Sequence, residues 1–83
     1  MTARILYKSS VARDLKQIGP GDRERILGQV RSVLGGNPRA GEPLHGEFEG
    51  LLKLRIGDYR IIYALAGKDV LVLRVRHRGK AYG

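Results

Sequence analysis

Apolar residues recur with a different period in each half of the chain. In the first half, Val11, Leu15 and Ile18 fall at i, i+4 and i+7, and Ile26, Leu27, Val30, Val33 and Leu34 keep the same helical spacing, so two amphipathic helices are predicted. A short apolar segment, residues 3–8 (ARILYK), precedes them and reads as a strand, with Ser9 or Ser10 offering the N-cap of the first helix. Gly19-Pro20-Gly21 breaks the chain, Asp22 can cap the second helix, and Gly35-Gly36 followed by Asn37-Pro38 ends it.

In the second half the period drops to two. Leu52, Leu54 and Ile56 alternate with Lys53 and Arg55, which predicts a strand with one buried and one exposed face. Gly57-Asp58 is a turn signal, and Tyr59 to Leu65 reads as a second strand, apolar on both faces apart from Arg60. Ala66-Gly67-Lys68-Asp69 turns the chain again, and Val70 to Arg78 forms the last strand. Between the halves, residues 36–50 hold four Gly and two Pro and read as a surface loop. The fold class that follows is α+β, in the order β-α-α-β-β-β. Its small, mainly antiparallel sheet ends in a three-strand meander, with a helical hairpin packed on one face. Eighty-three residues leave room for one core, so 1–83 is read as a single domain.

Charge adds direction to this outline. The net charge is +8, and residues 51–83 carry eight basic side chains against two acidic ones, so +6 of it lies in the meander. Such asymmetry points to a polyanionic partner, nucleic acid first. Eleven of the sixteen cations are Arg, whose planar fork suits phosphate. Strand alternation puts Val70, Val72, Arg74, Arg76 and Arg78 on one face and Leu71, Leu73, Val75 and His77 on the other. With Lys53 and Arg55 on the same open side and Arg60 near their edge, six cations converge. Like charges are costly to gather unless an anion neutralises them. His77 falls with the core-side residues, and His45 lies alone in the loop. Tyr82 follows the last strand, where its ring can stack on a base or present its phenol to a reacting oxygen. Tyr7, Tyr59 and Tyr63 lie in strands and are read as core, and Glu47 and Glu49 as surface charge.

Several function classes drop out. With no Cys there is no disulfide framework and no thiolate zinc site. No phosphate-binding glycine loop, dinucleotide fingerprint or metal-spaced His/Asp cluster occurs, so neither cofactor nor metal is expected. The N-terminal apolar run is too short for a signal peptide and no stretch approaches a membrane span, so a soluble cytoplasmic protein without membrane contact is expected.

The segments ARDLK (12–16), NP (37–38), PLHGEFEGL (43–51), LRIGDYRIIY (54–63) and the ending V-R-H-R-x-x-x-Y (75–82) resemble the RelE/ParE superfamily of bacterial toxins. The likeness runs essentially end to end and looks closest to the RelE-like branch of messenger-RNA interferases. It implies a type II toxin that cleaves mRNA, typically in the ribosomal A site. The 2′-hydroxyl attacks the adjacent phosphorus, leaving a 2′,3′-cyclic phosphate and a 5′-hydroxyl without a metal. By motif position, Arg60 and Arg78 look like the phosphate-clamping pair, Lys53 like a catalytic-strand lysine, and Tyr82 like the C-terminal tyrosine that stacks on or orients substrate. Arg55, Arg74, Arg76, His77 and Lys80 would contact RNA. Some relatives carry a second lysine two residues before the Lys53 position, where this chain has Leu51. The general base therefore stays open between Lys53, His77 and Tyr82. The resemblance also implies an acidic, RelB-like antitoxin as partner, with operator DNA bound only through the toxin–antitoxin complex. Two other readings remain: a ParE-like toxin that poisons DNA gyrase, and a non-catalytic nucleic-acid-binding module.

Overall fold

A computed structural model describes residues 3–77. Within them the strands are β1 (Ile5–Tyr7), β2 (Glu42–Pro43), β3 (Leu51–Ile56), β4 (Tyr59–Ala66) and β5 (Asp69–His77), and the helices are α1 (Ser9–Lys16) and α2 (Pro20–Gly36). They form one sheet in the order β1-β5-β4-β3-β2, with β1 parallel to β5 and the other neighbours antiparallel. The α+β class, the helical hairpin and the meander are as the periodicities predict.

The loop over 36–50 holds more structure than its glycines and prolines suggest. It contains β2, which pairs Glu42 with Lys53 and Pro43 with Leu52, and a 3-10 turn over Gly46–Phe48. Pro43 is tolerated because β2 is an edge strand. The Gly41 N–H donates to the hydroxyl oxygen of buried Tyr63 at 2.8 Å. A Cβ at Gly41 would stand 2.6 Å from the Lys53 carbonyl oxygen and from the same hydroxyl. Glycine at 41 thus lets the loop lie directly against β3.

The helix starts differ from expectation. Lys8, not Ser9 or Ser10, is the N-cap of α1, and it makes no side-chain cap. Ser10 instead donates its hydroxyl to the Leu73 carbonyl at 2.7 Å. Gly19 is the N-cap of α2, with Pro20 at the first helical position and Asp22 in the first turn, where proline's missing N–H costs nothing and a carboxylate favours the helix dipole.

Val11 of α1, Ile18 of the turn between the helices, and Ile26, Val30 and Leu34 of α2 bury their side chains against Leu52, Ile56, Ile61, Tyr63, Val70, Val72 and Val75 of the sheet. Tyr7, which its strand position assigns to this core, is 41% exposed, since β1 is the other sheet edge. Tyr59 packs partly against the core.

The alternation predicted for the last strand fails at Leu73. Ile62 pairs with Arg74 but Tyr63 pairs with Val72, so Leu73 is an extra residue with no partner in β4. The bulge reverses the faces. Val70 and Val72 are buried in the core together with Val75, while Arg74 and Arg76 occupy the opposite, helix-free face.

Candidate nucleic-acid interface

The open face of the sheet is built by register. Arg55 of β3 stands opposite Arg60 of β4, and Arg60 stands opposite Arg76 of β5. The next row along is Lys53, Ile62 and Arg74. Neighbouring strands lie about 4.8 Å apart, so the first row is three arginines running straight across three strands. Arg60, expected near the edge of the patch, is at its centre. Arg55 is exposed, whereas Lys53, Arg60, Arg74 and Arg76 are half-buried.

Between these cations runs a groove of about 530 Å³. Its floor is Leu44, Phe48, Leu51, Ile62 and Leu73, and its rim carries Lys8, Lys53, Arg60, Arg74 and Arg76. Leu51, the position where some relatives have lysine, is part of that apolar floor. Phe48, on the 3-10 turn, is 53% exposed. An apolar floor with cations around it suits a ligand with flat apolar faces and negative charges, as single-stranded nucleic acid has.

The cations are not equivalent. Arg74 donates to Asp14 of α1 through Nε at 2.9 Å and Nη2 at 3.0 Å, and the Val75 N–H donates to the same carboxylate at 2.9 Å. Burial pushes the Asp14 carboxyl up, but those hydrogen bonds and the charges of Arg74 and Arg76 outweigh it and hold the group below the ordinary carboxyl range. Arg74, placed among the RNA contacts from sequence, is thereby tied to a helix.

His77 sits on the other side of the sheet. Its ring meets Tyr59 edge-on, with centroids 5.2 Å apart at 84°. With Asp14, Gln17 and Ile18 the two line a separate cleft of about 200 Å³. Arg76 borders both the cleft and the groove. Lys53, Arg60 and Arg76 are therefore brought together, Arg55 extends their row, and His77 is not in the groove. Arg78, Lys80 and Tyr82 lie outside the described residues. Among the described residues, no group of three His, Cys, Asp or Glu side chains could hold a metal ion, and no helix is long and apolar enough to cross a membrane.

Sequence reasoning missed Lys8 and Phe48 in the groove and Asp14 behind it. Phe48 had a signal, being the only Phe of the chain and set in a polar, glycine-rich loop. Asp14 had none beyond its place in the ARDLK segment.

Comparison with known proteins agrees with this architecture. Residues 5–82 match the family of ParE toxins of type II toxin–antitoxin systems. Toxin RelE of Mycobacterium tuberculosis is 32% identical over 94% of this chain and 84% of its own length. Toxin RelG of the same organism is 29% identical over 99% and 98%. Among solved structures, the toxin–antitoxin complex RelBE2 of M. tuberculosis superposes with a TM-score of 0.88 at 28% identity, covering 96% of this chain and 95% of that one. The ParDE system of P. aeruginosa, at 20% identity and a TM-score of 0.70 over 92% and 96%, shares the fold. With its motifs, its sheet order and its relatives in agreement, the chain belongs to the RelE/ParE superfamily of type II toxins.

Proposed function

We propose that this toxin is a metal-independent endoribonuclease that cleaves mRNA, on the ribosome, and so stops translation. The observation that carries the reading is the arginine row Arg55–Arg60–Arg76 beside Lys53 over an apolar groove. Phosphate transfer through a 2′-hydroxyl needs fixed positive charge around phosphorus as the phosphorane forms. Arg60, at the centre of the row, supplies that charge, with Arg76 next to it. Neither can act as the base, because a guanidinium stays protonated. Of the candidate bases, Lys53 lines the groove with Arg60, whereas His77 lines the cleft on the other side. Arg78 and Tyr82 keep the roles their motif implies, completing the phosphate clamp and orienting the substrate. The apolar floor and Phe48 take the base beside the reacting phosphate.

A cognate antitoxin, acidic and RelB-like, would neutralise the same cations, and operator DNA would be bound only by that complex. Solved relatives include the RelBE2 complex and a RelE–RelB complex from Pyrococcus horikoshii. The place of action is the cytoplasm, where messages and ribosomes are.

One observation favours a second reading. The family model that matches residues 5–82 is described as a ParE toxin, and a ParE-like protein would poison DNA gyrase without cutting RNA. Inducing the toxin without its antitoxin, mapping 5′ ends on a translated message and assaying plasmid supercoiling separates the two. Codon-phased cuts that disappear in Arg60→Ala support the nuclease. Intact messages with inhibited gyrase support the alternative and overturn the first reading.

A further inference from the structure

Strand β1 covers only the first part of β5, where Ile5, Leu6 and Tyr7 pair with Val70, Leu71 and Val72. Beyond Val72 the chain that continues from β1 has turned into α1, yet the hydrogen bonding of β5 goes on. The Lys8 N–H donates to the Val72 carbonyl at 2.9 Å. Ser10 donates to the Leu73 carbonyl and Asp14 accepts from the Val75 N–H. Ser10 and Asp14 are four residues apart on one face of α1, so two helix side chains take the place of a strand along the bulged part of β5.

We propose that Asp14 is a positioning residue for the cationic site: it holds β5 past the bulge, so that Arg76 stays opposite Arg60, and it withdraws Arg74 from the anion-binding set. The Asp14 side chain is only 11% exposed and its carboxylate accepts three hydrogen bonds, two from Arg74 and one from the backbone. Arg74 shares a row with Lys53 and lines the groove. By charge alone it would count as one more phosphate contact. Its Nε and Nη2 are instead spent on Asp14, and a bidentate pair of this kind fixes the guanidinium plane as well as its charge. The groove thus presents Lys53, Arg60 and Arg76 to phosphate, and α1 sets where the last of them stands.

The phosphate part of this inference rests on the nucleic-acid reading above; the strand part does not. Two measurements keep them apart. Amide exchange in the free protein needs no ligand: Asp14→Asn should speed exchange at Val75 at least tenfold relative to wild type, with Ile61 unchanged. Equal exchange at Val75 in the two proteins overturns the positioning role. The second measurement is the salt dependence of binding to a 2′-O-methyl oligouridine, which cannot be cleaved. Each phosphate contact on a single strand contributes about 0.7 to the slope of log affinity against log salt. Arg76→Gln should lower the slope by about that amount, Arg74→Gln should leave it unchanged, and Asp14→Asn, by releasing Arg74, should raise it. A structural role alone would not steepen the slope. If Arg74→Gln lowers the slope as Arg76→Gln does, Arg74 is a phosphate ligand and the inference is wrong, whether or not Asp14→Asn folds. If wild type does not bind the oligonucleotide at all, the nucleic-acid reading falls, and Val75 exchange alone decides the positioning role.

Discussion

Arg60 and Arg76 stand directly opposite each other on adjacent strands, on the sheet face that the helices leave open. Like charges in cross-strand register oppose folding. On the proposed function the pair binds the phosphate of the substrate, which predicts different effects on activity and on stability. Arg60→Gln should slow RNA cleavage by about 10²–10³-fold, the usual cost of losing one donor to a developing anion. Arg76→Gln should change unfolding free energy by no more than about 0.5 kcal/mol, as for an ordinary surface substitution. Single-turnover cleavage and urea unfolding measure the two.

Phe48 is more than half exposed on the groove floor, so its ring adds little to the core. Phe48→Ala should weaken single-strand binding by about 1–3 kcal/mol if the ring stacks on a base. It should leave both the salt slope and the melting temperature near wild type, because no charge and little buried area are lost. Titration of a fluorescent oligonucleotide at several salt concentrations reports affinity and slope together.

Gly41 and Tyr63 lock the loop to the sheet. Tyr63→Phe removes the acceptor of the Gly41 N–H and should cost about 1–3 kcal/mol for a polar group left unpaired. Gly41→Ala places a methyl 2.6 Å from the Lys53 carbonyl oxygen, so β2 must move and Lys53 with it. That variant should lose stability by about 1–3 kcal/mol, as overpacked sites do. It should also lose cleavage beyond what its folded fraction explains. Urea unfolding, with activity corrected for folded protein, tests both.

Acid stability should depend on two carboxyls. Asp14 is held low against the opposing effect of its burial, by Arg74, the Val75 N–H and Arg76. Asp69 is held low first by its side-chain hydrogen bond from Arg4. A carboxyl whose pKa is depressed by folding stabilises the fold above its unfolded value, near 3.8, and this is lost as pH falls through the folded value. The urea midpoint should therefore fall below about pH 4, and Asp14→Asn should flatten that fall. An acid limb unchanged in Asp14→Asn would show that Asp14 is not responsible.

Apart from β2, the order of elements, the helical hairpin and the outward face of β3 were legible, because periods of 3.6 and 2 report directly which side of an element is buried. The place of Lys53 and Arg60 beside the other cations was legible from alternation and motif. On β5, alternation placed Arg74, Arg76 and His77 correctly but put Val70 and Val72 on the wrong face, since a period of two assumes an unbroken ladder and Leu73 breaks it. Arg74 looked like a free cation because its partner, Asp14, lies 60 positions away. Glycine at 41 makes sense only once Tyr63 is seen beneath it, and β2 has only two residues, one of them proline.

The most direct test of the central claim is cleavage of a translated message by the purified toxin in a reconstituted translation reaction, with a 2′-deoxy substitution at the mapped cut. A 2′,3′-cyclic phosphate end on the all-ribose message is expected, with no cut at the 2′-deoxy position and no cut with Arg60→Ala. Cleavage that persists at the 2′-deoxy position would contradict the mechanism. Messages left whole while the same preparation inhibits gyrase would contradict the function.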